Sequence, residues 1–414
     1  MFLSLTYDFQ EAELDLKRFN LSPKKTYSYS EDKLILFDDK FKSNKVRNYI
    51  RFSQSIRYIG YMLSKFEDLN EFKSSNLDSF HNFLKEHNLN ISQLSIDYIF
   101  LKDTKKEDRV KFRDDFSNHI SSKLNDIKLT YSDTLVNLVI IVLNDSFLVS
   151  LNLANIDLNK RVYKIFLTNQ SLKPSFSYLC NLKLINHLKE NVLSNEKHDI
   201  KKEKDSEEES NDVNILNLFS SDGIFSIELS ILKNLIDFRK LKREDIFYET
   251  LFEDEDWDVL KNNLDINNFK INAVDEKMAY LKNSEKNAKI VRVKDINFTR
   301  EVLKFTDYKF GENSMHGCIA YPTLYSNRNK KKYFDDILKE IFFQLEYVLY
   351  EDGIFIVLFK KEITDKVKEV AKDYNFKLLY EKDFSFGDLD LTLFSFRNQK
   401  LSKEKAKKKA EEMV

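Results

Sequence analysis

Apolar and polar side chains alternate through "MFLSLTYDF" at the start of the chain, which predicts a strand. "QEAELDLKRFN" follows with helical spacing, and Pro23 stops it. A strand is expected over 33–39 ("KLILFDD") and a helix over 47–66. Next come a helix over 76–89, a strand over 94–103 and a helix over 113–127. Residues 135–155 read as two strands around a tight "NDS" turn. Residues 193–212 are charged and almost free of apolar side chains, which predicts a solvated loop or linker. Beyond them strands and helices alternate. Strands are expected at "VNILNLF", 269–275, 289–298, 317–321 and 353–359, and a long amphipathic helix over 332–350. A helix and a closing pair of strands end the pattern, before a basic tail over 400–414. Such alternation predicts an α/β, doubly wound and mostly parallel sheet, preceded by smaller α+β modules.

Composition narrows the function classes. The 414 residues suit two or three domains, and 42% of them are hydrophobic, enough for substantial cores. The net charge is −1, so any nucleic-acid binding must rest on local patches. Lys, Asn, Ile, Phe and Tyr are abundant and Gly and Pro scarce, the codon bias of an AT-rich genome, so a lysine run alone says little. Cys180 and Cys318 are the only cysteines and have no metal-ligand spacing, so neither a disulfide framework nor a metal site is expected, and a cytoplasmic protein is. No apolar run reaches the roughly 20 residues that span a bilayer.

The candidate chemistry lies at strand ends. "LNLFSSDGIFSIEL" (216–229) reads as a buried strand, a tight polar turn and a helix N-terminus, the geometry that cradles a nucleotide-like cofactor. A well-built cradle carries two or three glycines, and this one has Gly223 alone. Asp275 ends the next strand, where a carboxylate can accept hydrogen bonds from ribose hydroxyls. Asp295, in "VRVKDINF", is expected at a third strand end, placed to read an adenine amine. Strand, turn, acid and acid in this order suit an adenosine-containing cofactor.

That order resembles the catalytic domain of class I S-adenosylmethionine-dependent methyltransferases. "INAVDEKMAYLKNSEKNAKI" (271–290) is similar to the stretch of RNA N-methyltransferases in which an acidic strand end precedes a helix closing on "A..NA". In the matching register of the first motif, Asn217 stands in the place of an acid and Ser221 in that of a glycine, while Gly223 and Glu228 match. The resemblance implies S-adenosylmethionine as cofactor, held around Asn217, Phe219, Ser221, Gly223, Asp275 and Asp295. Upstream, residues 151–188 resemble the end of a THUMP RNA-binding domain, with Pro174 and Phe176 roughly matching it. Together these features look like the tRNA guanosine N2-methyltransferases of archaea and eukaryotes. The implied domains are a ferredoxin-like unit (1–68), a THUMP domain (69–168) and a Rossmann-like methyltransferase domain (169–399).

The catalytic motif departs from the family. Enzymes that methylate an exocyclic amine carry Asp or Asn followed by Pro-Pro-Tyr at the end of the fourth strand, and the oxygen orients the amine while the ring stacks on the base. Here the strand ends "GCIAYPTLYS" (317–326). If Tyr325 matches the motif's Tyr, Pro322 takes the acid's place; if Pro322 matches the second Pro, Ala320 does. Tyr321 and Tyr325 remain as aromatic candidates. Lys105, Lys106, Lys160 and Arg161 lie in basic stretches interleaved with aromatics and are candidate phosphate contacts. Two readings stand. One is a guanine N2-methyltransferase acting on tRNA or rRNA, with a small activating protein as an implied partner. The other is a non-catalytic THUMP-bearing paralogue that binds RNA. A DNA adenine N6-methyltransferase shares the catalytic motif but not the THUMP-like region.

Overall fold

The computed structural model of the chain describes residues 1–75, 77–124, 126–130, 134–169, 171–191, 212–239, 246–252, 264–322, 331–386 and 389–400. Residues 193–211 of the charged segment, 401–414 of the tail, and Tyr325 lie outside the described residues. The chain divides into two compact units, Met1–Lys160 with Arg239–Lys261, and Arg161–Phe238 with Asn262–Val414.

The first unit is built on one eight-stranded sheet. Its strands are β1 (Phe2–Tyr7), β2 (Pro23–Tyr29), β3 (Asp32–Phe37), β4 (Tyr58–Phe66), β5 (Gln93–Phe100), β6 (Lys128–Thr130), β7 (Asn137–Val142) and β8 (Phe147–Asn152), in the order β2-β3-β1-β4-β8-β7-β5-β6. Pairing of β4 with β8 places strands from 1–68 and from 69–168 in the same sheet. The alternation of β1 divides its side chains between two faces. Leu3 and Leu5 join Leu34, Leu36, Tyr58, Val139 and Ile141 in one apolar cluster. On the other face Ser4 Oγ lies 2.9 Å from the Tyr49 hydroxyl of the helix Asn44–Phe52.

The helix expected over 47–66 is two elements: it stops at Phe52, and β4 begins at Tyr58. Tertiary partners decide this. Ser53 and Ser55 each donate to Asp15 Oδ2 at 2.6 Å, and Arg239 donates to the Ile50 and Ser53 carbonyls at the helix end. These bonds satisfy the groups freed where the helix breaks.

The second unit carries β9 (Val213–Leu218), β10 (Phe269–Asp275), β11 (Ile296–Arg300), β12 (Met315–Ala320), β13 (Leu349–Lys360), β14 (Phe376–Phe386) and β15 (Leu389–Asn398). Their order is β11-β10-β9-β12-β13-β15-β14. The first five are parallel, and β15 runs antiparallel to both its neighbours. This is the doubly wound, Rossmann-like sheet that the alternating pattern predicts. Central strands buried on both faces read as apolar runs, as in "GIFIVLF". One face packs Leu216, Cys318, Phe355 and Phe396 against Leu338, Ile341, Phe342 and Leu345 of the helix Lys331–Val348. On the other, a Cβ at Gly317 would stand 3.0 Å from Leu184 and 3.2 Å from Leu188, so glycine there admits the helix Pro174–Asn191. The order of strands switches between β9 and β12, and ligands of such sheets bind at the carboxyl ends beside that switch.

Candidate active site

The loop after β9 is a tight polar turn. Phe219 and Ser221 adopt left-handed φ values of 56° and 55°, and Gly223 follows at 81°. Such angles cost a side-chain-bearing residue of order 1–3 kcal/mol, so the loop is held by its surroundings. Gly223 is irreplaceable on two counts, its φ and a Cβ that would meet Ser284 Cβ at 2.9 Å. The helix Ile224–Asn234 starts immediately after it.

Asp275, at the end of β10, is the central partner of this loop. Its carboxylate accepts from the Ser221 amide at 3.0 Å and from the Lys277 amide at 2.9 Å. Burial pushes its carboxyl up from the ordinary carboxylate range, opposed by these two amides. Asp222 is buried too, accepts from the Ser171 hydroxyl and also titrates high because of its burial. Asn217 is a structural tie rather than a free ligand group: its amide donates to the Ile319 and Leu218 carbonyls, both at 3.2 Å, and its oxygen accepts from Ser226 at 2.9 Å.

Two residues of the 151–188 stretch, Thr168 and Ser171, which the sequence did not single out individually, brace the turn. Thr168 hydrogen-bonds Ser221, and Ser171 holds Asp222. Asn287 clips the segment down, exchanging bonds of 3.0 and 3.1 Å with the Phe166 backbone while donating to the Asp222 carbonyl at 3.0 Å. The signal was present: Asn287 is the Asn of the "NA" that closes 271–290.

Two expectations are corrected here. Arg161 is no surface cation. Its side chain is fully buried, pairs with Glu228 through Nε at 3.0 Å and Nη2 at 3.3 Å, and lies 4.5 Å from the Phe238 ring. Tyr163 donates to the same carboxylate. A guanidinium so enclosed cannot reach a phosphate. Asp295 does not end a strand, because the helix Met278–Ile290 runs further than its composition suggested and β11 begins only at Ile296. Burial opposes its ionisation, but Ser230, Asn234 and Lys233 outweigh that and hold its carboxyl low. The acid that does follow the third strand is Glu301, whose amide donates to the Asp275 carbonyl at 3.3 Å.

Leu218, Phe219, Val274, Asp275, Glu276, Glu301, Leu303 and Thr306 line one cleft at the carboxyl ends of β9, β10 and β11. Its chemistry suits an adenosine: carboxylates for hydroxyls and an amine, apolar walls for a purine. Its volume is about 10 Å³, room for a single water. At the end of β12, Tyr321 is buried and its phenol is pushed up to about 12 by that burial. Lys105, Lys106 and Lys160 are exposed. Among the described residues no group of His, Cys, Asp and Glu could hold a metal, and no helix is long and apolar enough to cross a membrane.

No known protein family matches the sequence, and no curated protein matches it. Solved structures do. SMU.472, described as a methyltransferase and complexed with SAH, is 13% identical with a TM-score of 0.64, covering 97% of this chain and 98% of its own. TrmN from Thermus thermophilus is 9% identical with a TM-score of 0.61, covering 96% and 100%. A Listeria monocytogenes str. 4b F2365 protein described as an N6-adenine-specific DNA methylase is 12% identical with a TM-score of 0.60, covering 95% of each. At these identities the likeness carries the fold alone, the Rossmann-like arrangement that this chain shares with those structures.

Proposed function

We propose that this chain is an S-adenosylmethionine-dependent methyltransferase acting on RNA, transferring a methyl group to the exocyclic N2 of a guanosine in tRNA. The observation that carries the cofactor half is the bond between the Ser221 amide and Asp275, which joins the first-strand loop and the second-strand acid at one cleft. Asp275 and Glu276 would take the ribose hydroxyls, Glu301 the adenine amine, and Phe219 and Leu303 the purine faces. The cofactor supplies an electrophilic methyl group. The residues 1–68 and 69–168 serve, in this reading, as the ferredoxin-like and THUMP modules that present RNA through the exposed Lys105, Lys106 and Lys160. The RNA assignment rests on the THUMP-like stretch 151–188 and on these exposed lysines.

A second reading, a non-catalytic RNA-binding relative, is favoured by the end of β12. Depending on the register, Ala320 or Pro322 stands where an amide or carboxylate would orient the amine. Calorimetric titration of S-adenosylmethionine, with tritium transfer from labelled cofactor to unmodified tRNA, separates the two. Cofactor binding with transfer supports the enzyme. RNA binding without either supports the relative. RNA binding that does not weaken with added salt would sink the lysine assignment, since phosphate contacts release counterions.

A further inference from the structure

We propose that residues Arg300–Phe310, which follow β11, form a stacking platform for single-stranded RNA at the mouth of the cleft. The proposal rests on the reading of this chain as an RNA methyltransferase. Val302, Phe305 and Tyr308 are 40%, 57% and 92% exposed, the last almost wholly in water. They are spaced three apart through the short helices Leu303–Phe305 and Thr306–Phe310, a spacing that favours one side. Arg300, Lys304 and Lys309 are exposed between and beside them. One oxygen of each acid in the stretch is engaged by the next backbone amide, Glu301 accepting from Val302 at 3.0 Å and Asp307 from Tyr308 at 2.8 Å.

The platform is also fixed. Gln344 accepts from the Asp307 amide at 2.7 Å and donates to the Lys304 carbonyl at 3.2 Å, and Thr306 donates to the Leu303 carbonyl at 2.8 Å. Leu303 and Thr306 line the cleft, while Phe305 and Tyr308 are held out to solvent. Exposed rings interleaved with cations match the two features of a single strand, its π-faces and its phosphates. A protein partner would need no such alternation.

The test uses the full chain and fluorescence anisotropy with a short fluorescein-labelled single-stranded RNA and with unmodified tRNA. Phe305→Ala and Tyr308→Ala should each weaken binding roughly 5- to 150-fold, the equivalent of about 1–3 kcal/mol per stacked base. Tyr308→Trp should retain it. Lys304→Gln with Lys309→Gln should flatten the salt slope by about 1.4. Melting temperatures should not change, because the replaced side chains are exposed. Undiminished RNA affinity in both alanine variants, with the wild type binding well, would overturn the platform and leave the methyltransferase reading to be judged by cofactor titration and methyl transfer. A wild-type chain that binds no RNA would overturn both. Wild-type self-association lost in the alanine variants, with RNA affinity intact, would assign the patch to a protein contact instead.

Discussion

The carboxyl ends of β9 and β10 differ sharply from that of β12. At the first, Asn217, Ser221, Asp222 and Asp275 are buried and each is hydrogen-bonded, with Thr168, Ser171, Ser284 and Asn287 as partners drawn from two further segments. At the second, the strand runs out into Ala320 and a buried Tyr321. One end has replaced glycine flexibility with a dense polar network. The other closes on an alanine and on a phenol that burial pushes up to about 12. Two strand ends of one sheet can therefore differ in how far their side chains are tied into the fold, because each is braced only by the segments that pack on it.

The largest expected effect tests the network behind the cradle. Glu228→Ala leaves the enclosed Arg161 without its carboxylate and should cost about 3–5 kcal/mol of stability, read as a lower denaturant midpoint. An unchanged midpoint would mean that the pair does not hold the two segments together. The catalytic end comes next. Lacking one oriented acceptor costs about 3–4 kcal/mol, or roughly 10²–10³ in rate, so tritium transfer to tRNA should be that far below ordinary turnover. Turnover near 1 s⁻¹, within the usual enzyme range, would show that β12 is equipped after all.

Asp275→Ala should weaken S-adenosylmethionine binding by roughly 1–3 kcal/mol in calorimetry, since it removes a carboxylate and frees the Ser221 amide. Equal affinity would detach Asp275 from the cofactor. The smallest effect concerns pH. Burial raises the Asp222 carboxyl, so the folded state binds this proton more tightly than the unfolded state. That contribution is complete below the ordinary carboxylate value of about 4 and is lost as pH rises through the raised folded value. Asp222→Asn should therefore raise the melting temperature at neutral pH, with the difference from wild type vanishing in acid. A difference that grows in acid would reverse the sign and the assignment.

Much of the fold was legible in the sequence, and for identifiable reasons. The strand expected over 269–275 is β10 residue for residue, because its apolar positions alternate with Lys270 and Asn272, the former exposed, before the run closes on Asp275. The hairpin around "NDS" is likewise present as β7 and β8. Gly223 and Asp275 fell where the cradle was expected. Asp295 did not, because helical and strand propensities are balanced across "NAKIVRVKDINF" and the boundary follows packing. Glu301 went unnoticed because its significance depends on where β11 ends.

The sequence by itself determined the alternation of elements, the doubly wound class and the turn after β9, since each is written in local periodicity and in residues with special backbone freedom. Tertiary structure alone decided which charges are available. Arg161 and Lys160 are neighbours in a basic stretch, yet one is enclosed by Glu228 and Phe238 and the other faces water. No local pattern separates them, because burial of a charge is set by partners distant in the chain that only the fold brings together.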